Sequence, residues 1–210
     1  EALVEVVQHK GDSECVLSPS TKDELCSFEK LPYSNFRGKY VRGLRRPPEP
    51  AGFVRDALKQ GLAEEARLGV NPFKMGMIGS TDTHLGAAGA VEEDKFAGHG
   101  GAGVPARDAI PPGLPDELEF NPGGLAVLWA EENTRESLFA AMKRREAYGT
   151  SGPRLLVRFF GGWDYPEDLC SGTENLAAVG YEDGVPMGGD LPSPAGNAAS
   201  AHGPRFAVWA

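Results

Sequence analysis

One segment constrains this chain more than any other: a helix-forming stretch that runs directly into a short apolar strand. Between Phe53 and Leu68, the residues Val54, Leu58, Leu62 and Ala66 recur every four positions, which is the spacing of one apolar stripe on an α-helix. Gly69 is suited to stop that helix, and Pro72 lies just beyond it. Phe73 to Gly79 then reads as a buried strand with Met75, Met77 and Ile78 at its centre. A helix followed at once by a buried strand is the alternation of an α/β protein.

Other segments fit that class. Leu3 to Gln8 is Val-rich and reads as a buried strand ending at His9-Lys10-Gly11. Leu125 to Trp129 reads as a third strand. Asn133 is placed to cap a following helix, with Glu136 three residues on to complete a capping box. Leu138, Phe139 and Met142 would form its buried face, and Tyr148-Gly149 its end, below the basic last turn Lys143-Arg144-Arg145. After about Gly152 the pattern becomes β-rich: Leu155 to Phe160, Ala177 to Gly180 and Phe206 to Trp209 are strand candidates separated by turn signals. Residues 12–50 and 85–122 read as long loops, consistent with 28 Gly and 17 Pro in 210 residues. Loops of that length are usually functional or flexible.

The balance of charge narrows the partners. A net charge of −9 argues against a nucleic-acid backbone, which needs a basic face. The best basic cluster, Arg37, Lys39, Arg42, Arg45 and Arg46, reads first as a solvated loop and second as an anion-binding one. No apolar run reaches membrane-spanning length, so no membrane partner is expected. Cys15, Cys26 and Cys170 are an odd count. Cys15 and Cys26 are close enough to close a small loop, although only an oxidising compartment would keep that disulfide. Location is therefore left between periplasm and cytoplasm, leaning to the periplasm if the bond forms. The chain opens at Glu1 and stops at Ala210 in strand-like sequence, so it is expected to be a piece of a longer polypeptide.

The chemistry is concentrated at strand ends. Ser80-Thr81-Asp82-Thr83-His84 follows the strand that ends at Gly79, and active-site groups of barrels and open α/β sheets sit on such exits. Residues two apart in an extended segment point the same way, so Asp82 and His84 can converge, and both side chains suit Zn, Mn or Fe. A polar turn with an Asx cap is the alternative. His9 leaves the first strand and is expected on the same face of the sheet, and Glu5 lies four residues earlier with the same side-chain direction. A carboxylate in a Val-rich strand is costly unless it is paired or binds a metal. An exposed edge strand and an ordinary loop histidine are the plain alternatives for these two. Glu14 is a further carboxylate that a surface position explains equally well. His99 sits in a glycine-rich loop, either as part of a lid or exposed to solvent, and His202 has no companion. There is no Gly-x-Ser-x-Gly elbow and no P-loop.

These motifs resemble a known family. Gly79-Ser80-Thr81-Asp82-Thr83-His84 looks like the late metal motif of the PHP (polymerase and histidinol phosphatase) hydrolases, commonly Gly-Ser-Asp-x-His. The run from Glu132-Asn133-Thr134-Arg135-Glu136 through Arg144 to Pro153 looks like the helix and exit strand that follow it. With the runs Gln8 to Cys15, Asn71-Pro72-Phe73-Lys74 and Arg158 to Trp163, the chain resembles a large bacterial family of PHP-like proteins known as a domain of unknown function.

The resemblance implies a partial, distorted PHP-like β/α barrel over residues 1–152, followed by a β-rich region over 153–210. It implies a divalent metal held by Asp82, His84 and His9, with Glu5 as a ligand or a support. The family's opening His-x-His motif does not occur in this sequence, so the site here would be partial. The expectation is a fragment of a metal-dependent hydrolase acting on a phosphoester or an ester or amide. The parent would carry the activity on a small molecule, and this chain alone would be inactive. The alternative is a non-catalytic scaffold or interaction module. An incomplete barrel would expose strand edges and favour self-association.

Overall fold

The computed structural model describes residues 2–9, 11–19, 21–27, 52–82, 88–91, 123–171, 176–194 and 203–210. The fold is mixed α/β, with three helices and several small sheets among those residues. None of these sheets closes on itself. Two compact units emerge: one of Leu3–Val127 and Gly149–Arg154, the other of Leu128–Tyr148 and Leu155–Ala210.

The first unit is built on a parallel pair. Strand β1 (Leu3–Gln8) lies between β2 (Gly11–Asp12), antiparallel to it, and β3 (Gly76–Gly79), parallel to it. Parallel neighbours need a long crossover, and here helix α1 (Val54–Leu68) lies on the path between them. The expected helix is therefore present, and it ends as expected at Gly69, whose φ of 75° is left-handed and whose N–H donates to the Glu65 carbonyl at 2.8 Å. It also starts where expected, at Val54 just after Phe53, but the way its start is satisfied was not legible. The N-cap residue Phe53 offers no side-chain cap. Instead the first amides of the helix are satisfied by a neighbouring loop: Val54 and Arg55 N–H donate to the Ser13 and Glu14 carbonyls at 2.9 Å each.

The expected apolar stripe of α1 is only partly used. Val54 is buried, whereas Leu62 is 65% exposed. The deepest point of the later helix is Gly61, where the Asn71 side chain occupies the space a Cβ would need. Asn71 also accepts the Phe73 N–H at 2.9 Å, folding the chain back towards β3.

Cys15 and Cys26 form a disulfide with Cα atoms 5.4 Å apart, and both are buried. The loop it closes is tied to α1 by Arg55, which donates to Glu14 and to Asp23, the latter at 2.8 Å. That Arg55 hydrogen bond, helped by the Leu25 N–H, holds the Asp23 carboxyl below the usual carboxylate range. The loop spans 11 residues, so the double substitution Cys15→Ser/Cys26→Ser is expected to lower stability by about 2–3 kcal/mol, read as a fall in the urea midpoint. An unchanged midpoint would show that the loop holds its shape without the bond.

The second unit contains a three-stranded antiparallel sheet of order β7-β6-β8, with β6 Arg158–Gly162, β7 Gly184–Pro186 and β8 Arg205–Trp209. Alternation along β6 and β8 sends Phe160 and Ala207 into a core with Tyr165, Leu169 and Leu176. Phe159 and Phe206 stack on the opposite, exposed face, with ring centroids 5.6 Å apart. Ala177 to Gly180, expected as strand, is part of helix α3 (Leu176–Glu182). Its buried residues, Leu176 and Gly180, are four apart, a helical interval that so short an apolar run does not distinguish by periodicity. The expected strand from Leu155 begins later, at Arg158, and leaves Leu155 and Leu156 exposed.

Strands β4 (Leu125–Leu128) and β5 (Ala147–Thr150) form a two-stranded sheet, joined by helix α2 (Arg135–Arg144). The cap of α2 is Thr134 rather than Asn133. Its side chain accepts the Ser137 N–H at 3.3 Å, while the Ser137 hydroxyl accepts the Glu132 N–H at 3.2 Å. The first bond is one half of a capping box shifted by one residue; the second reaches the Glu132 amide, two residues before the cap, rather than the N–H of Thr134 itself. The helix ends at Arg145, in left-handed conformation at φ 63°, so Tyr148 and Gly149 belong to β5 rather than to the helix end. The expected buried face is also displaced: Phe139 is 63% exposed, and Ala141 is the buried residue.

Candidate metal centre

The parallel register sets Leu3 beside Gly76 and Val7 beside Gly79. Both strands therefore run out on the same edge of the sheet, and their exits meet. Ser80 N–H donates to the Val7 carbonyl at 2.9 Å. The His9 backbone N–H donates to the Thr81 carbonyl at 3.3 Å, and the His9 ring nitrogen Nδ1 bonds the same oxygen. A carbonyl only accepts, so Nδ1 carries the proton. When the ring is neutral its lone pair is then on Nε2, one of the two nitrogens through which a histidine binds metal. His9 is fully buried.

Glu5 also reaches this exit. Its carboxylate accepts a hydrogen bond from the Ser80 hydroxyl, and its backbone carbonyl accepts one from Ser13 Oγ at 2.7 Å. The burial cost of a carboxylate in an apolar strand is thus offset by a serine, a partner the sequence reading did not name. The register shifts between Glu5 and Val7. This irregularity interrupts the strict alternation on which a common direction for Glu5 and His9 was expected.

Asp82 turns the chain at φ 54°, a left-handed conformation that aspartate tolerates better than most residues. His84 lies outside the described residues, as do His99, His202 and the basic cluster from Arg37 to Arg46. Glu14 is exposed and pairs with Arg55. Among the described residues, no three His, Cys, Asp or Glu side chains stand close enough to hold a metal ion. Glu5, His9 and the Asp82 turn thus share one sheet edge without forming a full ligand set by themselves.

A third segment, for which no role is expected from sequence, closes on the exits. Gly123 has φ 87°, and a Cβ there would lie 2.8 Å from both the Ser80 carbonyl oxygen and the Thr81 Cα. The Gly124 N–H donates to the Ser80 carbonyl at 2.7 Å. The adjacent pair Gly123-Gly124, just before an apolar strand, was the available signal.

No curated protein and no solved structure matches the chain. A family model, described as "Protein of unknown function (DUF3604)", matches residues 1–210, the whole of the sequence. The chain belongs to that family.

Proposed function

We propose that the chain carries the late part of a PHP-like, metal-dependent hydrolase site in a partial β/α barrel, with the parent protein acting on a phosphoester, ester or amide. The observation that carries this reading is the meeting of the β1 and β3 exits, where the Thr81 carbonyl holds the His9 ring with its proton on Nδ1. Asp82 and His84 would be ligands, His9 a third, and Glu5 a ligand or a support oriented by Ser80. These nitrogen and carboxylate donors suit Zn, Mn or Fe. When bound, a divalent ion supplies Lewis acidity, making water nucleophilic near neutral pH and polarising the bond to be cleaved. The residues of this chain fix the tautomer of His9, hold Glu5 in place and turn the chain at Asp82.

Metal analysis after equilibration with Mn²⁺ or Zn²⁺ tests the reading. Weak, substoichiometric binding is expected, and Asp82→Asn with His84→Ala should remove it. Asparagine is chosen because it tolerates the left-handed conformation at position 82. Metal content unchanged in the double variant would sink the assignment.

A second reading, a non-catalytic interaction module, is favoured by a different observation. Phe206 and Val208 are exposed on β8, an edge strand, and Phe159 lies exposed beside them. Sedimentation of the wild type against Phe206→Ser separates this from a lone solvent-facing sheet: a change in association state supports it, and identical profiles count against it.

A further inference from the structure

The second compact unit holds a cavity of about 670 Å³ whose lining includes Trp129, Arg144, Arg145, Glu146, Arg158 and Tyr181. Its volume falls in the range of small-molecule sites. The charges around it are arranged unequally. Glu146 is almost fully buried, and both of its oxygens are engaged: Oε1 by the Tyr181 hydroxyl, Oε2 by Arg144 at 3.4 Å. Burial, and after it Glu146, raises the Tyr181 hydroxyl above its ordinary range, so it stays protonated and donates. Arg145 is held by the Gly188 carbonyl at 2.9 Å and lies 3.7 Å from Asp190.

Arg158 differs from the other two arginines. Its guanidinium carbon lies 3.3 Å from the centroid of the Trp129 ring, and Nη1 donates to the Tyr181 hydroxyl at 2.8 Å. Trp129 is itself anchored by Nε1, which donates to the Val157 carbonyl at 2.9 Å. The guanidinium is thus fixed by a ring on one side and a hydroxyl at one nitrogen. Among the described residues, its neighbours are an aromatic face and a phenol, and no carboxylate lies within ion-pairing distance. A planar cation held rigid at a cavity wall is suited to donate two parallel hydrogen bonds to an oxyanion. Trp129, Pro186 and Met187 supply apolar wall for the rest of a ligand.

We propose that this cavity binds a small organic oxyanion, a carboxylate or a phosphoester on an apolar body, with Arg158 as the residue that grips the anionic group. It lies wholly within the second unit and does not depend on the metal reading. A cation is the poorer fit, because three arginines face two glutamates here and Glu146 is already engaged.

Benzoate and phenyl phosphate serve as probes, titrated into the full chain by calorimetry and by amide chemical-shift mapping. Binding of either or both, with shifts centred on Trp129, Glu146 and Gly188, supports the proposal. The probe that binds distinguishes a carboxylate from a phosphoester ligand. Arg158→Gln should weaken binding at least about tenfold. Arg158→Lys retains the charge and loses the fork, so it should also weaken binding while keeping the fold, checked by an unchanged thermal midpoint. Arg67→Gln, on the exposed side of α1 and paired with Glu64, should change nothing. Failure of both probes to bind at millimolar concentration overturns the proposal, as does equal binding by wild type and the two Arg158 variants.

Discussion

Gly149→Ala is expected to destabilise the first unit by upwards of about 3 kcal/mol, a larger cost than most single substitutions carry. A Cβ at Gly149 would sit 2.5 Å from the Gly79 nitrogen and 2.7 Å from the Ile78 carbonyl carbon. Both obstacles are backbone of β3, so no side chain can swing aside. Gly124 is in the same position, with a Cβ 2.2 Å from the Thr150 carbonyl oxygen. The sign of the effect makes the test sharp. In an ordinary strand alanine is no worse than glycine, so without this close approach the substitution would be neutral or slightly stabilising. The urea midpoint reads the size of the loss. Amide exchange at Ile78 and Ser80 reads its place, since displacing β3 should also release the Ser80 contacts to Val7 and Glu5. A variant as stable as wild type would rule out the packing of β5 on β3.

Phe160→Ala should cost the second unit about 4 kcal/mol. Phe160 is 1% exposed at the centre of the five-residue buried cluster, with the Tyr181 ring edge-on at 5.0 Å. Its ring fills the space beside Gly180, where a Cβ would come within 2.5 Å of it. Removal leaves a void between sheet and helix that the backbone of α3 closes only by shifting. Amide protection in β6 and α3 should therefore fall together. Phe160→Leu, which keeps most of the volume, should recover more than half of the loss. If both variants melted like wild type, the ring would not be the keystone of this core.

Local chemistry in the sequence carried much of the fold. β1 was legible as a Val-rich run, α1 as a four-residue repeat stopped by Gly69, and β8 as a short apolar strand. These signals are written within a few residues, by side-chain periodicity and by the backbone freedom of one glycine. The misread elements are those where neighbours decide. Thr134 and Asn133 are both good caps by type, and the one that caps is Thr134, whose hydroxyl accepts the Ser137 N–H. Ala177 to Gly180 is apolar enough for either state, and burial of Leu176 and Gly180 on one side makes it helix. Leu62 and Phe139 lie at plausible core positions, yet they are exposed, while Gly61 and Ala141 are buried on the same helices.

The same division holds for the candidate site. From sequence alone came the residue types and their place at strand exits: Glu5, His9, Asp82 and His84. Only the tertiary structure joined His9 to the carbonyl of Thr81, 72 residues away, and Glu5 to the hydroxyl of Ser80, 75 residues away. It also brought Arg158 onto Trp129 beside a cavity to which no motif pointed. The physical reason is common to all three. Periodicity and turn chemistry act between near neighbours and leave a local pattern. Parallel strand pairing, a buried hydrogen bond or a stacked cation links residues that share no pattern, and it exists only once the chain has closed the distance between them.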